Sequence, residues 1–374
     1  MKKTLLAAAL LAGFATAGVA QAETSVTLYG IVDTGYGYSN YKYNADILGF
    51  DVEARARTSG LVSGIVNGNR WGLKGSEDLG DGLRAIFQLE QGFDLGSGNS
   101  ASSLQFHRQS YVGLSSDNWG TFTMGRQYAA GVNAGDMAVN GWSLGDMDKV
   151  FGGVGYGNRI DNSFKYTTPD LAGFKFIALY GSGGSDTIER LNGESFPGSA
   201  ERNARVSAAI TYANGPISGA LSYDRQGNTG VEDAITSWNI NGAYDFEVVK
   251  LSLAYGQDRH GKLGWGGDAG GFVDTNGALA LSYRDFKSNN YHVGLSAPVG
   301  GGTLYAGWNY STSNLGDGDK WGDLAGSIST YHVNYFYPLS KRTGVYTYAS
   351  YAKNLGYLDG LKGTEAGVGL NHKF

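Results

Sequence analysis

Cysteine is absent from this chain of 374 residues, so no disulfide, zinc–thiolate centre or cysteine nucleophile can be built. Proline is scarce, with 5 residues in all. Four of them, Pro169, Pro216, Pro298 and Pro338, fall in short polar turns, where a missing N–H is tolerated. Beyond the N-terminal segment no run of about 18 apolar residues occurs, which excludes a spanning helix. Basic clusters are missing too, and the net charge is −5. A mildly acidic chain of this kind is not built to hold nucleic acid. There are only 5 histidines, His107, His260, His292, His332 and His372. None stands in a nucleophile motif or at metal-ligand spacing, so neither an enzyme nor a metal or other cofactor is expected.

What the chain does have begins with an export signature. Lys2 and Lys3 precede an apolar stretch over 5–14, and small residues lead to Ala20-Gln21-Ala22 before Glu23. A charged region, a short apolar region and an A-x-A site predict a signal peptide over 1–22. The remainder, 23–374, reads as one domain. It is rich in glycine (61) and tyrosine (25), and tyrosine suits the two interfaces of a membrane-spanning barrel.

The dominant pattern is period-two alternation. Val26, Leu28, Gly30 and Val32 oppose Thr27, Tyr29, Ile31 and Asp33. Leu83, Ala85, Phe87 and Leu89 oppose Arg84, Gln88 and Glu90. Leu304, Ala306, Trp308 and Tyr310 oppose Tyr305, Gly307 and Asn309. Such alternation marks strands with one apolar face. Seven short turns are expected, near 78–82, 117–120, 169–173, 213–216, 246–247, 298–302 and 338–341. Longer connections are expected near 40–66, 96–104, 129–158, 184–203, 227–234, 259–289, 314–327 and 354–363. Seven short and eight long connections join 16 strands. An even count with short turns on one rim and long loops on the other is the layout of a bacterial outer-membrane barrel. A soluble sandwich or β-helix would instead carry Val, Ile and Leu on both sides of a core, whereas here the second face is polar along most strands. The fold class expected is therefore all-β, a 16-stranded antiparallel transmembrane β-barrel. A barrel that wide holds an aqueous channel.

The last strand alternates Ala366, Val368, Leu370, His372 and Phe374 on one face and ends on that aromatic residue. An uncovered edge invites aggregation, so such a strand is expected to close onto another.

Several segments resemble the general porins of Gram-negative bacteria, in the form typical of β-proteobacteria. They include Ser25-Val26-Thr27-Leu28-Tyr29-Gly30, then Asn69-Arg70-Trp71-Gly72-Leu73-Lys74, then Arg108-Gln109-Ser110-Tyr111-Val112-Gly113-Leu114. Gly125-Arg126-Gln127 and Asn158-Arg159-Ile160-Asp161-Asn162-Ser163 continue the series. The likeness runs from Glu23 to Phe374, although 40–66 and 259–289 carry no family signal. It implies a homotrimer in the outer membrane, each subunit with its own water-filled pore for passive diffusion of ions and small hydrophilic solutes. It also implies that Phe374 serves as the signal read by the barrel-assembly machinery, and that the third long loop, about 128–157, folds into the lumen. That loop carries Val132, Met137, Trp142, Leu144 and Phe151, which are odd for a solvated surface loop and apt for one packed on a wall.

Strand parity, with Trp71, Leu73, Tyr111, Ile160 and Phe164 taken as outward, turns Arg70, Lys74, Arg84, Arg108, Arg159 and Lys165 toward the lumen. By resemblance, Arg70, Arg108 and Arg159 match the family's constriction arginines. Asp136 matches an acidic residue of the inserted loop, with Asp146 and Asp148 further along it. Acids facing bases across a narrow opening create a transverse field, felt over about 8–10 Å at physiological salt. The arginine-rich wall leans the expectation toward anions. The competing reading is that these arginines pair with Glu77 or Glu90 and only brace the wall. Arg126 shares parity with Phe122 and Met124, so it is expected on the outer face, at a trimer contact that spares its charge from lipid. The rival function is a substrate-specific channel for a sugar or organic anion, whose aromatic track would draw on Tyr29, Tyr305 and Phe336, with Tyr346 and Tyr348.

Overall fold

The structure, a computed structural model, describes residues 24–374 except 48–49, 103–104, 153–158, 183–186, 190–194, 198–203, 228–233, 262–284 and 317–325. The signal-peptide expectation over 1–22 lies outside the described residues, as does most of the connection expected at 259–289. Alternating β-branched and aromatic side chains give sixteen strand positions. These are β1 (Ser25–Ile47), β2 (Phe50–Ser63 and Arg70–Gly80), β3 (Leu83–Gly92), β4 (Gln109–Ser116), β5 (Gly120–Tyr128) and β6 (Arg159–Thr167). β7 (Phe174–Gly181), β8 (Arg205–Asn214), β9 (Ile217–Gln226), β10 (Ile235–Asp245) and β11 (Lys250–Arg259) follow. β12 (Lys287–Val299), β13 (Gly302–Ser313), β14 (Ser327–Pro338), β15 (Thr343–Lys353) and β16 (Lys362–Lys373) complete the series. Both parts of β2 pair with β1, one after the other along its length, so they fill one place in the sheet.

Each strand pairs antiparallel with its neighbours in the chain, and β16 pairs with β1, closing the sheet on itself. Closure leaves no open edge, and the backbone hydrogen bonds run between strands, as a lipid-embedded sheet requires. At the seam Phe374 and Gly30 exchange both backbone hydrogen bonds, at 3.0 and 3.1 Å.

The two faces differ in chemistry. Val26, Leu28, Val112, Leu114, Phe164, Ile240, Leu253 and Val333 are exposed on the outside. The opposite face carries Asp33, Ser207, Asn241, Ser252, Asn290, His292, Asn309 and Asn334, all buried. The short turns separate strands where the sequence places them.

Three expectations need correction. The stretch 40–66 is mostly strand, because β1 runs on to Ile47 and pairs residue for residue with Phe50–Ser63. Its alternation is polar on the outer side, with Arg55 and Arg57 where lipid-facing residues would be sought, so it lacks the membrane signature. Tyr111 faces inward, not outward. It lies opposite Gln88 and donates its hydroxyl to Gln88 Oε1 at 2.8 Å, while Val112 and Leu114 take the lipid side. Ile160 is buried with Ala129 and Leu179 on the inner side. A register shift between Gly125 and Gln127, beside Asn162 at a positive φ of 48°, reverses the parity counted from Phe164.

Candidate functional site

The segment after β5 leaves the sheet and is held by inner-face side chains of the far wall. It starts with a short helix, α1 (Ala130–Gly135). Ser207 Oγ on β8 accepts from Ala130 N at 2.8 Å, and Asn241 on β10 donates to the Ala134 carbonyl at 3.1 Å. Val139 N then donates to Ser252 Oγ on β11 at 2.9 Å, and Asn309 on β13 donates to the Gly145 carbonyl at 2.9 Å. Ser143 donates to Glu365 on β16. Apolar packing follows the same route. Ala130 and Ala134 pack with Ile177, Ala209 and Ala220. Leu144 packs with Tyr41 and Ala352, and Met147, Val150 and Phe151 pack with Ile328 and Tyr357. Small residues allow the close approach: a Cβ on Gly145 would stand 2.3 Å from His332 Cβ. The segment thus runs along β7 to β16 and reaches β1 at Tyr41.

The cations gather on the remaining wall, from β2 to β6. Tyr128, at the end of β5, organises them. Its hydroxyl accepts from Arg108 Nη2 at 2.9 Å and from Arg159 Nη2, whose guanidinium lies 4.2 Å from the ring centroid. The Tyr128 carbonyl accepts from Lys165 Nζ at 3.2 Å. Arg70 donates from Nε to the Gly68 carbonyl at 2.8 Å, and a Cβ on Gly68 would lie within 4.0 Å of both Arg70 and Arg108. Among the described residues one carboxylate enters the group. Glu90 is buried and pairs with Arg108 Nε at 2.6 Å, while its other oxygen accepts from Tyr29 at 3.0 Å. Lys74 stands 5.5 Å over the Tyr29 ring.

The structure therefore brings together Arg70, Lys74, Arg108, Arg159 and Lys165. Arg108 and Arg159 sit at strand ends, where alternation no longer governs direction. They reach the group even though Tyr111 and Ile160 face inward. Arg84 stands apart: it pairs with Asp117 at 2.5 Å beside the short turn joining β4 and β5. Bracing by Glu90 applies to Arg108 alone.

The acids of the segment divide in the same way. Asp136 is exposed, and its pKa is raised by partial burial within the barrel. Asp146 Oδ1 accepts from Asn140 Nδ2 at 2.8 Å and from Asp148 N at 3.1 Å. Burial, reinforced by the Asp148 charge, pushes the Asp146 carboxyl up to about 7. Asp148 pairs with Lys149 at 3.3 Å. Burial opposes the charge on Lys149, but Asp148 and Asp146 outweigh it and raise its pKa. Asp146 and Asp148 thus hold the segment's own shape. Arg126 lies on the outer face opposite Ser110 and is neutralised by Asp161 of its own chain, so its position does not by itself call for a partner subunit.

Sequence reasoning missed Tyr128, and it expected Trp142 to pack on the wall without identifying the rings it meets. Tyr128 falls where β5 ends, so parity assigned it no face. Trp142 gathers Tyr305, Tyr346 and Phe336 at centroid distances of 5.6, 5.6 and 6.5 Å. Rings that look scattered along three strands meet only because the segment crosses to them.

A profile of the Gram-negative porin family matches residues 7–357. The chain is a Gram-negative porin. An outer membrane porin protein of Bordetella pertussis is 40% identical to it over 408 residues, covering 100% of both chains. Outer membrane porin protein 32 of Delftia acidovorans is 33% identical over 95% of this porin and 90% of its own length. Among solved structures, an anion-selective porin from Comamonas acidovorans covers 94% of this porin and 100% of its own chain, at a TM-score of 0.69 and 26% identity. The porin is a passive channel of the outer membrane, not an enzyme.

Proposed function

We propose that this porin passes small hydrophilic solutes with a preference for anions, through an opening between the basic wall of β2 to β6 and the segment 129–151. The homologous arrangement would be a homotrimer, one pore per subunit. One observation carries the reading: Arg70, Arg108, Arg159 and Lys165 cluster at Tyr128, and among the described residues Glu90 is the single carboxylate that pairs within the cluster. Among the described residues neither Arg70 nor Arg159 forms an ion pair, so the cluster carries net positive charge. In a narrow pore such charge raises the local concentration of anions, and the effect fades as salt shortens the screening length. The structurally similar porin from Comamonas acidovorans is anion-selective, which agrees with this reading. Asp136 is the acid best placed to complete a transverse field.

The test is a reversal potential in a salt gradient across planar bilayers. Arg70→Ala with Arg159→Ala should move it toward cations. An unchanged reversal potential would overturn the anion reading. Trp142 and its ring partners favour no sugar track. Tyr346 is 3% exposed, and the rings meet edge-on or tilted, as an anchor for the segment does.

A further inference from the structure

The two parts of β2 are separated by a detour of the chain. Thr34 pairs with Ser63 and Ile31 pairs with Arg70, so two residues of β1 stand opposite six of β2, 64–69. A β-bulge adds one residue; this detour adds more than a bulge can absorb. It leaves the strand at Gly64, whose φ of 74° glycine adopts without steric cost. Asp33 then holds it over the inner face. Gly64 N donates to the Asp33 carbonyl at 2.9 Å, Ile65 N to Asp33 Oδ1 at 3.0 Å and Asn67 N to Asp33 Oδ2 at 3.2 Å. Asp33 N donates in turn to Asn69 Oδ1, and Asn69 Nδ2 donates to Ser63 Oγ at 2.7 Å.

The same carboxylate also reaches the other way. Tyr346 on β15 donates to its Oδ1 at 2.7 Å, and Asn371 on β16 donates to its Oδ2 at 2.8 Å. Asp33 is fully buried, and among the described residues no cation pairs with it. A buried carboxylate without a counter-ion depends on donors for its oxygens, so the detour and the charge hold each other. Tyr346 also meets Trp142 of the segment 129–151 at 5.6 Å, and Ile65 lines a cavity of about 330 Å³ together with Ser143 and Leu144 of that segment. At the far end of the detour the Gly68 carbonyl accepts from Arg70 Nε at 2.8 Å, and a Cβ on Gly68 would lie 3.5 Å from Arg108 Nη1. The detour thus bridges the inserted segment and the basic wall.

We propose that the detour 64–69 is a second constriction element of the pore, and that Asp33 is the positioning residue which, through it, sets where the Arg70 and Arg108 guanidinium groups stand. With the latch released, the opening widens and the two guanidinium groups drift from the water path. The inference rests on the pore running between the basic wall and the segment 129–151. It does not rest on which ions the pore prefers.

The chain has no cysteine, so Gly68→Cys introduces one thiol, at an exposed position. Single-channel conductance of this variant in planar bilayers is read before and after reaction with sulfonatoethyl methanethiosulfonate or, separately, its trimethylammonium counterpart. Either adduct should cut the conductance to roughly half, and the two should move the reversal potential in opposite directions, the sulfonate toward cations. An adduct that leaves conductance unchanged, or a thiol that neither reagent reaches, overturns the constriction. Asp33→Asn and Asn69→Ala test the latch. Each should raise conductance and lower the anion-to-cation permeability ratio about two-fold, with the barrel still folded and heat-modifiable. The sign is diagnostic for Asp33→Asn, because loss of a carboxylate acting on the ions directly would strengthen anion preference. A stronger preference there, or parental conductance in Asn69→Ala, overturns the positioning role. Asn69→Ala alters no charge and leaves the Asp33 contacts to Tyr346 and Asn371 in place, so it decides the matter if Asp33→Asn fails to fold. A parent pore that prefers cations would overturn the anion reading alone, since the block by the adducts is read as conductance.

Discussion

Tyr128 shows how one side chain can set the character of a channel wall. Two guanidinium groups share its hydroxyl, and one lies on its ring. Like charges held this close would splay without a common acceptor. Hydrogen bonds to charged groups contribute about 1.5–3 kcal/mol each, so removing the hydroxyl releases both arginines without emptying the ring contact. Tyr128→Phe should leave the barrel folded, give noisier single-channel currents and bring the reversal potential part of the way toward neutral. Quiet currents with an unchanged reversal potential would show that Arg108 and Arg159 are held by other contacts. Arg70 was legible in the sequence, because it alternates with Trp71; Arg108 and Arg159 were reached by resemblance and by parities of Tyr111 and Ile160 that the structure reverses. The hub was not, because parity fails at strand ends, as the inward turns of Tyr111 and Ile160 also show.

At the scale of the element, the segment 129–151 behaves as a strap with a titratable clasp. Asp146 caps its second turn, from Met147 to Lys149, and receives the Asn140 amide. Its carboxyl is pushed up to about 7 by burial and by Asp148. A pKa raised above the unfolded value of about 4 means that this carboxyl favours the folded strap fully at low pH. That contribution is lost as pH rises through about 7 and the buried charge appears. Two outcomes follow together. Anion preference should decline between about pH 5 and pH 8 as the strap gains negative charge, and Asp146→Asn should flatten that part of the profile. Reversal potentials measured across the range check it; a slope unaffected by Asp146→Asn would remove Asp146 from the account. The strap's apolar residues pointed to an inward fold. Its path along β7 to β16 was hidden, because it depends on Ser207, Asn241, Ser252 and Asn309, polar residues that look like ordinary lumen lining until a partner reaches them.

The whole molecule depends on closure. Strand count, turns and faces follow from alternation, which is why the barrel could be read from the chain with so few exceptions. The seam could be only half read: alternation supplies the outward Phe374 but not what it covers. The ring lies on Gly30, where a Cβ would stand 2.2 Å from the ring and 2.8 Å from the Arg70 carbonyl. Glycine is needed there for space, since the backbone already exchanges both hydrogen bonds with Phe374. Adding a side chain at such a site forces shifts worth about 1–3 kcal/mol, applied where the sheet must meet itself. Gly30→Val should therefore lower the fraction of porin that migrates as a folded, heat-modifiable species on unheated gels. With both chains refolded into detergent, where the assembly machinery plays no part, Phe374→Ala in the same chain should recover part of the loss, because the ring can no longer be struck, while the Arg70 carbonyl still crowds the new side chain. Full folding of Gly30→Val, or no recovery in the double variant, would mean that the seam tolerates a different packing than the one this structure displays.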